Sequence, residues 1–247
     1  MRLSLILEPE AIVLHIDENL LVVNKPAGIT VSQDGYYPEK IFLKKALESA
    51  FGRIWVVHRL DRQTSGVIVF ARNPDYHRRL NEQFQKRNIQ KIYHALVIGT
   101  PPWDSKTVDL ALLADGDRQH RTVVDSQRGK PAVTELFIRE SYKGWALVEV
   151  MPRTGRTHQI RAHLKAAGYP AACDPLYGDG KPIYLSNLKS NYQKGDKPEK
   201  PLLDRVGLHA LKLYIPAGEL KGTLEFTAPY QDDFKKVLRQ LRKYLPG

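Results

Sequence analysis

The sequence contains a single cysteine, Cys173, which excludes an intrachain disulfide and a cysteine-based zinc cluster. No apolar run approaches the roughly 18 residues of a membrane span. The opening stretch, MRLSLILEPE, meets Glu8 before a signal-like apolar core develops, so the chain is expected to be cytoplasmic. Its glycines form neither G-x-G-x-x-G nor a P-loop, which leaves a nucleotide cofactor without support. Thr64-Ser65-Gly66 does not supply the G-x-S-x-G elbow of a serine hydrolase. His158 and His163 point in different directions on a helix, whereas H-E-x-x-H needs a spacing of four and a glutamate; with no further His/Asp/Glu cluster, no metal is expected. Acidic residues are also scarce. The 27 Asp+Glu face 38 Lys+Arg, giving a formal charge of +11 and a pI near 9.6. This balance favours a polyanionic partner, nucleic acid first and an anionic membrane surface second.

What is present is an ordinary globular composition, 42% hydrophobic and 26% charged, sufficient for one sizeable domain or two small ones. AIVLHIDENLLVVNKPAG suggests two short strands around an Asp-Glu-Asn turn, ended by Lys25-Pro26 and Gly28. VIVFAR (67–72) is a buried-strand candidate. PDYHRRLNEQFQKR (74–87) places Pro74 in a first turn and spaces Tyr76, Leu80 and Phe84 as on a helix. IQKIYHALVIG, TVDLALL, RTVVDS, AVTELFIRE and WALVEVMP are β-like runs separated by turns, an antiparallel meander interrupted by a helix at 157–167. The segment from Gly178 to Asp204 has no clear period and is expected to be a long loop. DDFKKVLRQLRKYL closes with an amphipathic helix whose stripe is Phe234, Val237, Leu238, Leu241 and Leu245. The mix is α+β.

Two stretches could carry chemistry. HRLDRQTSGVIVFAR (58–72) holds Asp61 between Arg59 and Arg62, either as an ordinary surface ion pair or as an anion kept charged for use. In PRTGRTHQIRAHLKAAG (152–168), Thr157 is the expected N-cap, and Ile160, Leu164 and Ala167 form the buried stripe. His158, Arg161 and Lys165 fall on the polar face. Arg153, Arg156 and Arg161 then crowd a helix N-terminus that disfavours cations by a few tenths of a kcal/mol each. A phosphate, or a carboxylate from elsewhere such as Asp61, would relieve them; exposed and screened arginines would cost little.

The order LVVNKPAGITV, VVHRLDRQTSGVIVFAR, IQKIYHALVIG, PRTGRTHQIRAHLKAAGYP, DPLYG and LHALKL closely resembles the RluA-type pseudouridine synthases over about residues 11–230. The resemblance implies isomerisation of a uridine in structured RNA to its C-glycoside, without cofactor or metal, on a mixed, mainly antiparallel sheet with flanking helices and an RNA-binding cleft. By this resemblance Asp61 is the catalytic carboxylate, Arg161 pairs with it, and Tyr93 lies against the base. Arg59 enters the RNA stack in place of the flipped uridine, and Arg62, Arg156 and His158 lie near RNA. His58 and Leu60 are expected to pack rather than react. Where the family usually has Gly-Asp before its LYG, this chain has Cys173-Asp174-Pro175, a departure expected to touch a support loop.

The chain is thus expected to be one catalytic domain over 1–247. No separate N-terminal RNA-binding domain is expected, and 179–204 is a loop insertion. It is expected to act as a monomer on tRNA or rRNA. The rival from another class is a noncatalytic RNA-binding module; a membrane-surface protein is weaker, because the basic residues lie in turns and motifs rather than along an amphipathic anchor. Attack on the base, attack on C1′ and removal of the C2′ proton all remain open as chemical routes.

Overall fold

The computed structural model describes residues 8–33, 42–193, 195–217 and 222–247. It divides into two units, one of Met1–Ile92 with His209–Pro229 and the other of Tyr93–Leu208 with Tyr230–Gly247.

In the first unit, β1 (Val13–Ile16) and β2 (Leu20–Lys25) pair antiparallel across the expected turn. Asp17 builds that turn, its Oδ1 accepting from the N–H groups of Asn19 and Leu20 at 2.7 Å each. Helix α1 (Leu43–Phe51) is not among the elements read from the sequence. It is short and has no side-chain cap, so it carries little boundary signal. After β3 (Trp55–Val56) comes β4 (Ser65–Ala71), the expected buried strand, in which every residue is buried. Such a strand reads as a continuous apolar run because both of its faces are covered. Helix α2 (Pro74–Gln85) follows, with Pro74 in its first turn as expected. Its N-cap Asn73 accepts from the Tyr76 N–H at 2.8 Å, and Leu80 is its buried residue.

One edge of β4 carries β2, antiparallel. The other carries β3 at Phe70–Ala71 and, in parallel, β11 (Leu208–Pro216) at Ser65–Gly66; β12 (Thr223–Thr227) pairs antiparallel with β11. The parallel pairing explains the Thr-Ser-Gly after HRLD. Gly66 has φ +114°, and a Cβ there would lie 2.1 Å from the Ala210 carbonyl oxygen, so only glycine fits. Beside it, the His209 Nε2–H donates to the Ala228 carbonyl at 3.1 Å, and His209 Nδ1 accepts from Ser65 Oγ at 2.9 Å.

In the second unit, β5 (Gln90–Ile98), β10 (Trp145–Pro152), β9 (Val133–Tyr142) and β6 (Ser105–Asp109) pair antiparallel in that order. β7 (Leu112–Leu113) and β8 (Val123–Val124) stand apart as a hairpin, which corrects the expected continuous meander: the chain leaves β6 and pairs with itself. Helix α3 (Gln159–Ala166) packs Ile160 and Leu164 on Ala95, Val97, Ala146 and Val148. Helix α4 (Asp232–Tyr244) buries Phe234, Val237, Leu238 and Leu241, the expected stripe, with Leu245 partly buried at its end.

The segment expected as a loop after Gly178 is anchored. Ile183 bridges Leu203, Leu185–Asn187 forms a 3-10 turn, and Ile183, Leu188 and Leu203 join the core beneath α4. These anchors are irregularly spaced, which is why no period shows. The fold is α+β with mixed, mainly antiparallel strand pairing. Among the described residues no helix is long and apolar enough to cross a membrane.

Candidate active site

The first unit presents Arg59, Asp61 and Arg62 on the irregular segment between β3 and β4. Asp61 is half-buried, while Arg59 and Arg62 are exposed. The segment is fastened at several points. His58 stacks on Phe84 with ring centroids 4.8 Å apart and accepts from the Val69 N–H at 3.1 Å, and Leu60 is buried. These two residues therefore pack as expected. Burial, helped by the Lys91 cation, pushes the His58 pKa down to about 3, so its ring stays neutral and keeps that acceptor.

On the other side of Asp61, the Arg62 backbone carbonyl accepts from the Gly28 N–H at 2.7 Å, and Arg62 Nε donates to the Gly28 carbonyl at 3.2 Å. Lys25 is fully buried. Its ammonium donates to the carbonyls of Pro26 and Ile29 at 2.9 Å and to that of Arg62 at 3.3 Å. In the sequence Lys25-Pro26 reads only as a breaker; the structure makes Lys25 the post around which the Gly28 and Arg62 loops close.

The second unit presents Tyr93 on β5, opposite Val150 of β10 and packed on the core under α3. It also carries the G-R-T-H-Q-I-R run. The helix starts later than expected, and its N-cap is His158, in the left-handed region at φ 50° with no side-chain cap bond, rather than Thr157. Gln159 organises this start instead. Its Oε1 accepts from Thr154 Oγ at 2.7 Å and from the Arg156 N–H at 2.9 Å, and its Nε2 donates to the Val133 carbonyl and Thr134 Oγ, both at 2.9 Å. His163 continues the network. Its Nε2–H donates to the Leu110 carbonyl at 3.1 Å while Nδ1 accepts from Thr134 Oγ at 2.8 Å, and burial lowers its pKa.

Arg161, expected on a polar face, is instead buried, 5% exposed. It forms a two-pronged ion pair with Asp174, Nε to Oδ2 at 2.7 Å and Nη2 to Oδ1 at 2.8 Å, and Asp174 is wholly inaccessible. Arg153 pairs with Glu135 at 2.7 Å, and Arg156 donates to the Pro131 carbonyl at 3.2 Å. The cations crowding the helix start thus find separate acceptors, and Asp174 is the carboxylate that meets Arg161 within its own unit. Tyr177 lies under the Arg161 guanidinium at 5.0 Å. Its hydroxyl accepts from the Thr122 N–H at 2.8 Å and lies 3.2 Å from His158 Nδ1.

The Cys173-Asp174-Pro175 departure has a backbone meaning. Cys173 sits at φ 56°, where glycine is unstrained and another residue costs roughly 1–2 kcal/mol. Its side chain is buried in the α4 core, and burial pushes its thiol up to about 12, so it is no nucleophile at neutral pH. Asp174 is not among the site residues expected from the sequence, because nothing in a C-D-P triplet reveals a pairing with a helix. Among the described residues no group of three or more His, Cys, Asp or Glu could hold a metal.

A family profile described as RNA pseudouridylate synthase matches residues 19–166. The chain is 34% identical over 98% of its length to ribosomal large subunit pseudouridine synthase D of Neisseria meningitidis, and spans 64% of that relative. It is 36% identical to ribosomal large subunit pseudouridine synthase C of Pasteurella multocida, over 98% of this chain and 71% of that one. Among solved structures, human RNA pseudouridylate synthase domain containing 4 superposes with a TM-score of 0.76 at 27% identity, each chain covered in full. The profile covers more than half of the chain, which therefore belongs to the RNA pseudouridylate synthase family.

Proposed function

We propose that the protein is an RNA pseudouridine synthase acting on ribosomal RNA in the cytoplasm, with Asp61 as its catalytic carboxylate. The observation that carries this reading is Asp61 itself. It is a half-buried acid in a basic chain, on a segment held by Lys25, His58 and Gly28, inside the stretch that matches the family. The relatives' names point to RNA of the large ribosomal subunit; transfer RNA is the alternative target.

The reaction breaks the bond between uracil N1 and C1′, rotates the base and joins C5 to C1′. The C5 proton is released, and N1 ends protonated. An anion beside the sugar and base serves any of the three routes. Arg161 is the cation proposed to keep Asp61 ionised, Tyr93 the ring against the base, and Arg59 the flat cation that fills the gap left by an extruded uridine. Arg62, Arg156 and His158 are proposed to face RNA. A noncatalytic RNA-binding module would need none of the acid chemistry. Mapping pseudouridine across cellular RNA with and without the gene separates the readings: sites that vanish from ribosomal RNA support the proposal, and an unchanged map overturns it.

A further inference from the structure

We infer that Asp174 is a positioning residue for the reaction, acting through Arg161; this rests on the pseudouridine synthase reading above. A guanidinium has five N–H donors in a fixed plane, and Asp174 engages one edge of that fork at two points, through Nε and Nη2. A single long hydrogen bond would let the plane swing; two short parallel ones set its rotation and reach. The carboxylate is itself fixed, because Oδ1 also accepts from the N–H groups of Leu176 and Tyr177 at 2.9 and 3.1 Å. The Tyr177 ring covers the guanidinium face, and the Tyr177 hydroxyl is held by Thr122. The arginine proposed to pair with the catalytic acid is therefore held within its own unit by a buried anion on a separate loop.

Stability alone does not explain this arrangement. A buried ion pair is often no more stabilising than well-packed apolar residues of similar volume. Its constant effect is on geometry, and an ångström of misplacement in an active site can cost about 100-fold in rate. Asp174→Asn keeps the acceptor for Leu176 and Tyr177 but offers Arg161 an uncharged group that can no longer accept from both nitrogens.

The experiment compares wild type, Asp61→Asn, Asp174→Asn, Arg161→Met and the double variant Arg161→Met/Asp174→Asn. Each is assayed for single-turnover pseudouridine formation on total RNA from cells lacking the gene, for affinity to that RNA, and for thermal midpoint. The expected result for Asp174→Asn is a rate about 100-fold lower with RNA affinity within about twofold of wild type. In the Arg161→Met background, Asp174→Asn is expected to raise the thermal midpoint, because it removes a stranded buried charge, while changing the rate no further. A merely structural Asp174 would lower the midpoint and leave the rate of the folded protein intact, which overturns the inference. Independent, multiplicative rate losses in the double variant also overturn it. If Asp174→Asn does not fold, Asp174→Glu, which keeps the charge but displaces it, is read by the same criteria. A wild type that forms no pseudouridine defeats the underlying reading; one that is active while Asp61→Asn is not leaves that reading standing whatever Asp174 does.

Discussion

Gln159 shows how much one side chain of the second motif holds together. It is buried, and its amide bridges Thr154, the Arg156 backbone, Val133 and Thr134. Gln159→Ala would leave several buried partners unsatisfied at about 1–3 kcal/mol each before relaxation. A net loss of about 2–4 kcal/mol is the expected outcome, read as a lower urea midpoint at unchanged slope. His58 gives a second prediction with a definite sign. Its folded pKa, about 3, lies below the ordinary value near 6.5. Below pH 6.5 the unfolded chain therefore binds a proton that the folded chain refuses, and stability falls as pH falls. For His58 alone this amounts to about 2 kcal/mol between pH 8 and pH 5. His163 and His94, also lowered by burial, act in the same direction. His58→Gln, which can still accept from Val69, is expected to flatten the fall of the denaturation midpoint over this range; an unaltered profile would show that the His58 ring does not titrate as described.

Among the elements, those with strong periodicity are legible in the sequence. VIVFAR forms β4, and the final amphipathic stripe forms the buried face of α4, because apolar spacing reports burial directly. The start of α3 is less legible because no side chain caps it and the Gln159 amide instead ties the preceding Thr154 and Arg156 to Val133 and Thr134, which depends on β9 lying alongside. Asp174 and the burial of Arg161 are illegible for the same kind of reason, as each is defined by a partner on another element. The resemblance proposes Asp61 and Arg161 as site residues, but nothing in their motifs indicates what holds them. The insertion has a testable role of its own. Lys181, Lys197 and Lys200 are exposed and Lys189 is half-buried, on a segment anchored by Ile183, Leu188 and Leu203; Lys194 lies outside the described residues. Replacing these lysines, Lys194 included, with glutamine is expected to weaken RNA binding and reduce its salt dependence by about 0.7–0.9 in log–log slope for each phosphate that is no longer neutralised. An unchanged slope would make the segment a solvated loop only.

For the whole molecule, the formal charge of +11 supplies attraction to a polyanion such as RNA that is indifferent to sequence, while Asp61 is the one acid proposed to act in the reaction. Charge and composition therefore make a polyanionic partner legible but not a reaction; only the order of the motifs does that. The proposed roles of Asp61 and of the surrounding cations can be separated by one substitution. Asp61→Asn keeps the size of the side chain and removes its charge, leaving the arginines proposed to meet phosphate in place. The decisive measurement is pseudouridine formation on total RNA from cells lacking the gene, alongside an RNA titration at fixed salt. The account predicts that Asp61→Asn abolishes conversion while RNA affinity stays the same or rises slightly, because a negative charge has been removed from a surface that receives a polyanion. Conversion at the wild-type rate would contradict it and return Asp61 to a surface acid between two arginines.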